Sequence, residues 1–474
     1  MAGVLLTHSN HLFSDRKQVE KMQPYPPLQT LLAAALLRER GIPVALFDPT
    51  FADPAEGFAN ALQAHKPDLV VVCEDDFNFL SKMCLAQNRE LAFRMAEWSR
   101  QLAVPVVAHG ADASDHVPQY LQAGFEAVII GEVEATLLEL ASGESKSSIA
   151  GLAFQAGKQL RFNPPRQLRT DLDSLPFPAW DLVDIDRYRN EWLSAHGYFS
   201  LNVVSSRGCP YRCNWCAKPI WGNSYHVRSP RAVAEELKHL KDSFHPNQIW
   251  FADDIFALSS RWTLQFADAV ESLDARIPFK MQSRCDLMTR ETVQALRRSG
   301  CTEVWMGAES GSQKILDAMD KGIRVQHVHE ACRNLRRHDI RACLFLQFGY
   351  PGESWHEIEA TIRMVRETAP DDVGISVSYP LPGTRFHQIV SSELGLKKNW
   401  NDSGDLAMMF RGAYGTEFYR ALASVIHAEV RGGDAVAAWR RLHELRNETA
   451  IDPGYAPIQA EPAPLYGRAG QVEA

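Results

Sequence analysis

Along residues 1–141, short apolar runs alternate with stretches in which apolar residues return every three or four positions. The first texture fits strands buried on both faces and the second fits helices laid over them, which together predict βα units around a parallel sheet. Strands are expected at 4–6, 44–47, 69–73, 104–108 and 127–130. Leu28, Leu31, Leu32, Ala35 and Leu36 fall at helical spacing, Gly41 ends that helix, and a polar-faced helix covers 85–102. Such a doubly wound (Rossmann-like) domain binds ligands beyond the carboxyl ends of its strands. The loops at 8–14, 74–79, 109–116 and 131–136 are therefore the ones to watch.

From 142 to 197 the texture becomes polar and proline-rich, with Asn163-Pro-Pro and Leu175-Pro-Phe-Pro-Ala-Trp180, and reads as a linker. A second βα series occupies 198–390. Its strands are expected at 201–205, 248–252, 279–282, 303–307, 342–348 and 374–378, and its helices at 229–243, 261–275, 290–299, 326–338 and 355–368. Six strands in that length predict a partial, TIM-like barrel with its chemistry at the strands' carboxyl ends. Residues 391–450 read as a helical C-terminal region that caps the barrel mouth, with Phe418, Leu422, Val425 and Ile426 on one stripe. Residues 451–474, rich in proline, glycine and alanine, read as disordered. The fold class is thus α/β, with two βα domains, a linker between them and helices behind.

Composition changes this picture in two ways. A formal charge of −8 over 474 residues disfavours a nucleic-acid partner. No apolar run approaches the roughly 20 residues of a membrane helix, and residues 1–8 lack the pattern of an export signal, so a cytoplasmic protein without a membrane span is expected. In that reducing compartment nine cysteines do not imply disulfides. Six of them, Cys73, Cys84, Cys285, Cys301, Cys332 and Cys343, stand singly in apolar or helical stretches and read as core.

The other three lie within eight residues, Cys209-Pro-Tyr-Arg-Cys213-Asn-Trp-Cys216, directly after the first strand of the second series. A structural zinc site wants a fourth close ligand, and none follows before His226, though Cys285 or His226 leaves zinc open as an alternative. Three thiolates on a four-iron four-sulfur (4Fe-4S) cluster leave one iron free to bind a substrate or cofactor. That loop resembles the signature of radical S-adenosylmethionine (SAM) enzymes. The resemblance implies that Cys209, Cys213 and Cys216 hold the cluster, and that its open iron chelates SAM and cleaves it to a 5′-deoxyadenosyl radical.

Further segments are similar to the family's SAM-binding motifs in the expected order. Trp215 matches the aromatic position near the adenine, and Asp253 and Asp254 in Phe251-Ala-Asp-Asp254 match the acidic motif that accepts from the cofactor ammonium. A pair of helix-capping aspartates is the alternative there. Glu309 and Ser310 in Gly307-Ala-Glu-Ser-Gly311 match the ribose segment, and Pro351 and Gly352 in Phe348-Gly-Tyr-Pro-Gly-Glu353 match the adenine contact. Arg284 and Lys321 are placed to meet the cofactor carboxylate or an acidic substrate, or to be ordinary surface cations.

The first domain is similar to the cobalamin-binding module of one branch of these enzymes, the branch that contains anaerobic magnesium-protoporphyrin monomethyl ester cyclase and related methylases. Tyr25 in Tyr25-Pro-Pro27, Gly110, Asp112, Ala113 and Ser114 in His109-Gly-Ala-Asp-Ala-Ser114, and Gly131 and Glu132 in the following segment carry that resemblance and are the implied cobalamin contacts. No D-x-H-x-x-G pattern offers a histidine to cobalt, so the resemblance implies a lower face covered by the loop at 112–114. It further implies a methyltransferase acting at an unactivated carbon of a small molecule, supplied with electrons by a flavodoxin or ferredoxin. A cyclase or oxidative rearrangement without methyl transfer, and a non-catalytic iron–sulfur protein, are the alternatives. Trp192, Trp221, Tyr225, Met408, Met409 and Phe410 are expected to line an apolar substrate pocket or to be packing.

Overall fold

In the computed structural model, which describes residues 3–449, five strands form a parallel sheet. These are β1 (Val4–Thr7), β2 (Val44–Leu46), β3 (Leu69–Cys73), β4 (Val106–His109) and β5 (Ala127–Ile129), in the order β2-β1-β3-β4-β5. Alternate residues feed two cores. Val4, Leu6, Val71 and Cys73 face helices Leu28–Glu39 and Val133–Ala141, and Leu5, Val70 and Val72 face Pro54–His65 and Ala86–Gln101. Each such side chain, fully removed from water, contributes about 1.5–3 kcal/mol. The order reverses between β1 and β3, so the loops after those two strands flank the crevice where such folds bind ligands.

The segment at 142–197 is more than a linker. β6 (Leu152–Ala156) and β7 (Gln159–Phe162) form an antiparallel hairpin on the β5 edge, and helix Ile185–His196 follows. All four residues of β7 are exposed, so it has no apolar face to betray it in sequence. Asn163 ends the hairpin, its side-chain amide donating to the Lys146 and Ile149 carbonyls at 2.7 Å each.

β8 (Ser200–Val203) opens the second domain, and a two-residue pair, β9 (Ser206–Arg207) with β10 (His226–Val227), brackets the cysteine loop. β11 (Gln248–Phe251), β12 (Phe279–Ser283), β13 (Cys301–Glu309), β14 (Arg341–Phe348) and β15 (Asp372–Val377) then add in sequence order to β8, all parallel. β8 and β15 do not pair, so the barrel stays open, as expected. Helix Pro230–Phe244 starts on Ser229, whose hydroxyl accepts from the Ala232 amide, with proline at the first position. Helix Trp355–Thr368 starts with a reciprocal Ser354–Glu357 capping box.

The C-terminal region braces the assembly from the side. Helix Thr416–Val430 packs on β15, and Trp400 and Ser403 accept from Ala86 N and Lys17 Nζ of the first domain. Residues 451–474 lie outside the described residues. Among the described residues no helix is long and apolar enough to cross a membrane.

Candidate active site between the two domains

The cysteine loop is fixed by one asparagine. Asn214 donates from its backbone to the Met319 carbonyl at 3.0 Å and from its side chain to the Ala318 carbonyl at 2.7 Å, while its oxygens accept from Tyr350 Oη and Phe386 N. Lys218 closes the loop from the other side by donating to the carbonyls of Cys209 and Tyr211. Cys209, Cys213 and Cys216 are left half-buried, and Cys209 and Cys216 line a chamber of about 1260 Å³. Burial pushes the Cys209 thiol up and the Cys216 thiol up to about 12. Metal ligation needs the thiolate, so a bound cation would work against that shift.

No other cysteine supports the loop. Cys285 is buried with its thiol directed at the Gly307 carbonyl, and His226 sits in the β9–β10 pair. Among the described residues no three His, Cys, Asp or Glu side chains converge as a preformed metal site, and the loop offers two thiols at the cavity wall with Cys213 beside them. Three thiolates without a fourth close ligand suit a cluster with one open iron better than a closed zinc site.

Of the expected SAM residues, Trp215, Asp254 and Glu309 line the chamber. The Trp215 indole nitrogen is buried without a hydrogen-bond partner. Glu309 closes β13 at φ 59°, where the β13–β14 register shifts, and this turns its carboxylate onto Lys321 Nζ at 2.7 Å. Asp253 is placed otherwise. It is fully buried, and its carboxylate accepts from the Ser205 amide and the hydroxyls of Ser205 and Ser206, so it ties β11 to the β8 end. Ser310 bonds Thr361 on helix Trp355–Thr368, and the Gly352 carbonyl accepts from Lys314. Ser310, Pro351 and Gly352 thus border the site without lining the chamber. Arg284 is stacked on Tyr211 and paired with Asp286.

The first domain supplies the opposite wall. The loops after β1 and β3 line the chamber through Asn10, His11 and the stretch 75–80, whereas the loop after β4 contributes Ala111 alone and the loop after β5 nothing. Of the expected cobalamin residues, Gly110, Asp112, Ala113, Ser114, Gly131 and Glu132 do not line the chamber. Asp112 is taken by Arg89, Tyr120 and His116, and Ser114 donates to the Gly110 carbonyl. Gly110 has φ 134°, and a Cβ there would meet Glu74 Cβ at 2.7 Å, so glycine is needed for packing. The Gly131 carbonyl accepts from His109 Nε2. Glu132 pairs with Arg207 of the barrel side.

Tyr25-Pro-Pro27 docks on the barrel, with Tyr25 Oη against Ser200 Oγ and the Pro26 carbonyl accepting from Asn202. Tyr25 also lines the chamber. The loop at 112–114 does not line the chamber, whereas the β3 loop does. There Asp76 is buried with one carboxylate oxygen unpartnered, and burial pushes its carboxyl well above the usual carboxylate range. A corrin rim carries amides, which suit such a group.

Three chamber residues, Lys82, Lys280 and Trp305, were not among those expected from the sequence. Lys82, just past the β3 loop, pairs with Asp254 and lies 5.7 Å from the Trp221 ring centre, and Phe77 stacks on that ring at 5.3 Å. Lys280 and Trp305 point inward from the barrel strands. Inward position on β12 and β13 was the one available signal, and it needs the register. Of the expected apolar pocket only Trp221 lines the chamber; Trp192, Met409 and Phe410 are buried packing.

A series of barrel strands, a three-thiol loop after the first of them and an acidic residue at the second strand's end define a class. Residues 203–365 match the family described as the Radical SAM superfamily. An uncharacterized methyltransferase of Pyrococcus horikoshii is 30% identical over 281 residues, covering 58% of this chain and 60% of that protein. An anaerobic magnesium-protoporphyrin IX monomethyl ester cyclase of Cereibacter sphaeroides is 25% identical over 274 residues, covering 56% and 44%. The chain thus spans about half the length of the curated relatives it matches. Among solved structures, the radical SAM methyltransferase TsrM of Kitasatospora setae, with cobalamin and a 4Fe-4S cluster bound, superposes with a TM-score of 0.68 over 83% of this chain and 75% of that one, at 20% identity. At that identity the likeness is one of fold, and it extends beyond the barrel.

Proposed function

We propose that this protein is a cobalamin-dependent radical SAM enzyme that methylates an unactivated carbon of a small molecule held between its two domains. One observation carries the reading: the three-thiol loop and the loops at the switch point of the doubly wound domain open onto the same chamber. Cys209, Cys213 and Cys216 would hold the cluster, and Trp215, Asp254 and Glu309 would meet SAM. The β3 loop, with Asp76 and Phe77, and Ala111 would face the corrin. When bound, the cluster and SAM supply a carbon-centred oxidant and the corrin supplies a methyl group.

The chain's own residues then position and exclude. Asn214 and Lys218 hold the loop so that the thiols keep one spacing. Lys82 stays charged beside Asp254 at the rim, because burial of its ammonium is outweighed by the carboxylate next to it. Phe77 and Trp221 form a dry wall where the domains meet, which keeps water from a reactive radical.

The test is anaerobic reconstitution, addition of hydroxocobalamin, and reduction by a flavodoxin or ferredoxin in the presence of methyl-labelled SAM. About four irons per chain, a corrin spectrum retained through gel filtration, and deoxyadenosine release that is lost in Cys213→Ala are expected. Label in the product supports methylation, whereas deoxyadenosine without label moves the reading to the cyclase type named for one relative. Iron without SAM cleavage would leave a cluster-binding protein.

A further inference from the structure

The chamber continues past the cysteine loop into the barrel lumen, where Lys280 projects from β12 in register with Trp250 of β11 and Glu303 of β13. Lys280 is only 9% exposed. Its ammonium lies 5.5 Å from the ring centre of Trp250, 5.7 Å from that of Trp192 and 5.9 Å from that of Tyr25. Among the described residues no oxygen lies within ion-pair or hydrogen-bond distance of it, and the nearest acid in register, Glu303, is taken by Arg341 at 2.5 Å.

Three ring contacts near the ~6 Å outer limit of cation–π attraction, each worth about 0.5–2 kcal/mol, fall short of the several kcal/mol that burying an ammonium costs. Burial accordingly draws the Lys280 pKa down. A second ammonium compounds the imbalance. Lys21, at the end of helix Arg16–Lys21, lines the same cavity without an ion pair, and burial together with Lys17, Arg431 and Lys280 lowers it to about 8. Arg431 in turn is matched by Asp372. The Lys280 and Lys21 ammonium groups thus face the cavity without a carboxylate at ion-pair distance, as does that of Lys17, which donates to the Ser403 carbonyl. Between them and the cysteine loop the wall is aromatic, with Trp305 stacked on Phe345 at 5.0 Å.

We propose that the lumen is a substrate subsite in which Lys280, assisted by Lys21, receives the carboxylate of an otherwise apolar substrate, so that its far end lies toward the cysteine loop. This rests on the reading of the chamber as an active site, and it adds a substrate class to it. Lys280 lies three residues before the end of β12, so the carboxylate sits about 10 Å below the barrel rim at about 3.3 Å per residue.

The experiment is equilibrium binding of octanoate and of its uncharged counterpart 1-octanol to the full chain, anaerobically reconstituted, followed through tryptophan fluorescence, since Trp192 and Trp250 flank Lys280. Octanoate is expected to bind roughly tenfold more tightly than octanol, the worth of one charge-assisted contact. Lys280→Met should erase the preference while leaving octanol binding unchanged, Lys280→Arg should retain it, and Lys21→Met should reduce it. Equal binding of the two ligands by the unmodified protein, or a preference that survives in Lys280→Met, overturns the proposal. If Lys280→Met does not fold, the same outcomes are read from Lys280→Gln. Binding is measured without turnover, so selective octanoate binding in a protein that never cleaves SAM would sink the proposed reaction and leave the subsite standing.

Discussion

Arg207, two residues before Cys209, forms a buried ion pair with Glu132 of the first domain at 2.8 Å. Its second nitrogen pairs with Glu134, which also accepts from Gln29 at 3.0 Å. The strand that leads into the cysteine loop is therefore bolted to the other domain by a desolvated cation between two carboxylates. Removing one partner of such a set costs about 3–5 kcal/mol, because the other charges stay buried. Arg207→Met should lower the urea midpoint accordingly, and adding Glu132→Gln with Glu134→Gln should recover part of the loss. A loss below about 1 kcal/mol in the single variant would show that water reaches this junction.

Asp112 gives an acid-side prediction. Burial alone would raise its pKa, but hydrogen bonds from Arg89 and His116 outweigh burial and hold the carboxyl at about 2. A depressed folded pKa contributes stability that is complete above the unfolded value near 4 and is lost as pH falls through about 2. The wild-type protein should lose about 2 kcal/mol more than Asp112→Asn on going from pH 5 to pH 2. Unfolding midpoints measured across that range for both proteins decide it.

Glu353 has the opposite sign. Buried beside Gly349, with one carboxylate oxygen unpartnered, it is pushed up to about 8. The folded protein then holds a proton that the unfolded chain releases near pH 4.5, so stability falls as pH rises from about 4.5 to about 8. Glu353→Gln keeps the shape and removes the titration. Its stability relative to wild type should increase by a few kcal/mol between pH 5 and pH 8.5. Parallel pH profiles for the two proteins would exclude the assignment.

Gly311 follows the β13 end in direct backbone contact with helix Trp355–Thr368. A Cβ there would lie 2.3 Å from the Ala360 carbonyl oxygen and 2.7 Å from Thr361 Cα, and the Gly311 amide donates to Thr361 Oγ1 at 2.9 Å. Backbone cannot step aside as a side chain can, so Gly311→Ala should cost about 1–3 kcal/mol or more. Because Glu309 is two residues away, the same variant should weaken SAM binding, measured by equilibrium dialysis, more than it weakens corrin retention.

Much of the barrel was legible because its strands carry apolar residues at alternate positions, such as Leu201 and Val203, Ile249 and Phe251, and Phe279 and Met281, and its helices carry one apolar stripe. Helices Arg290–Ser299 and Trp355–Thr368 fall where the periodicity predicts. The β6–β7 hairpin was not legible, since an edge strand with four exposed residues has no period to read. The candidate site divides in the same way. Trp215, Asp254 and Glu309 face the chamber, while Asp253, adjacent to Asp254, is consumed by Ser205 and Ser206. Adjacent residues at a strand end point in opposite directions, and only the register says which is inward.

By itself the sequence determined the two βα series, the open barrel and the clustering of three thiols after its first strand, because these depend on local period, chain order and spacing. The tertiary structure decided which loops of the first domain face the thiols, that Glu132 and Asp112 serve packing and pairing, and that Lys82 and Lys280 enter the chamber. Those facts depend on residues far apart in the chain meeting in one low-dielectric space, where a charge must find a partner, and no local pattern encodes which partner that is.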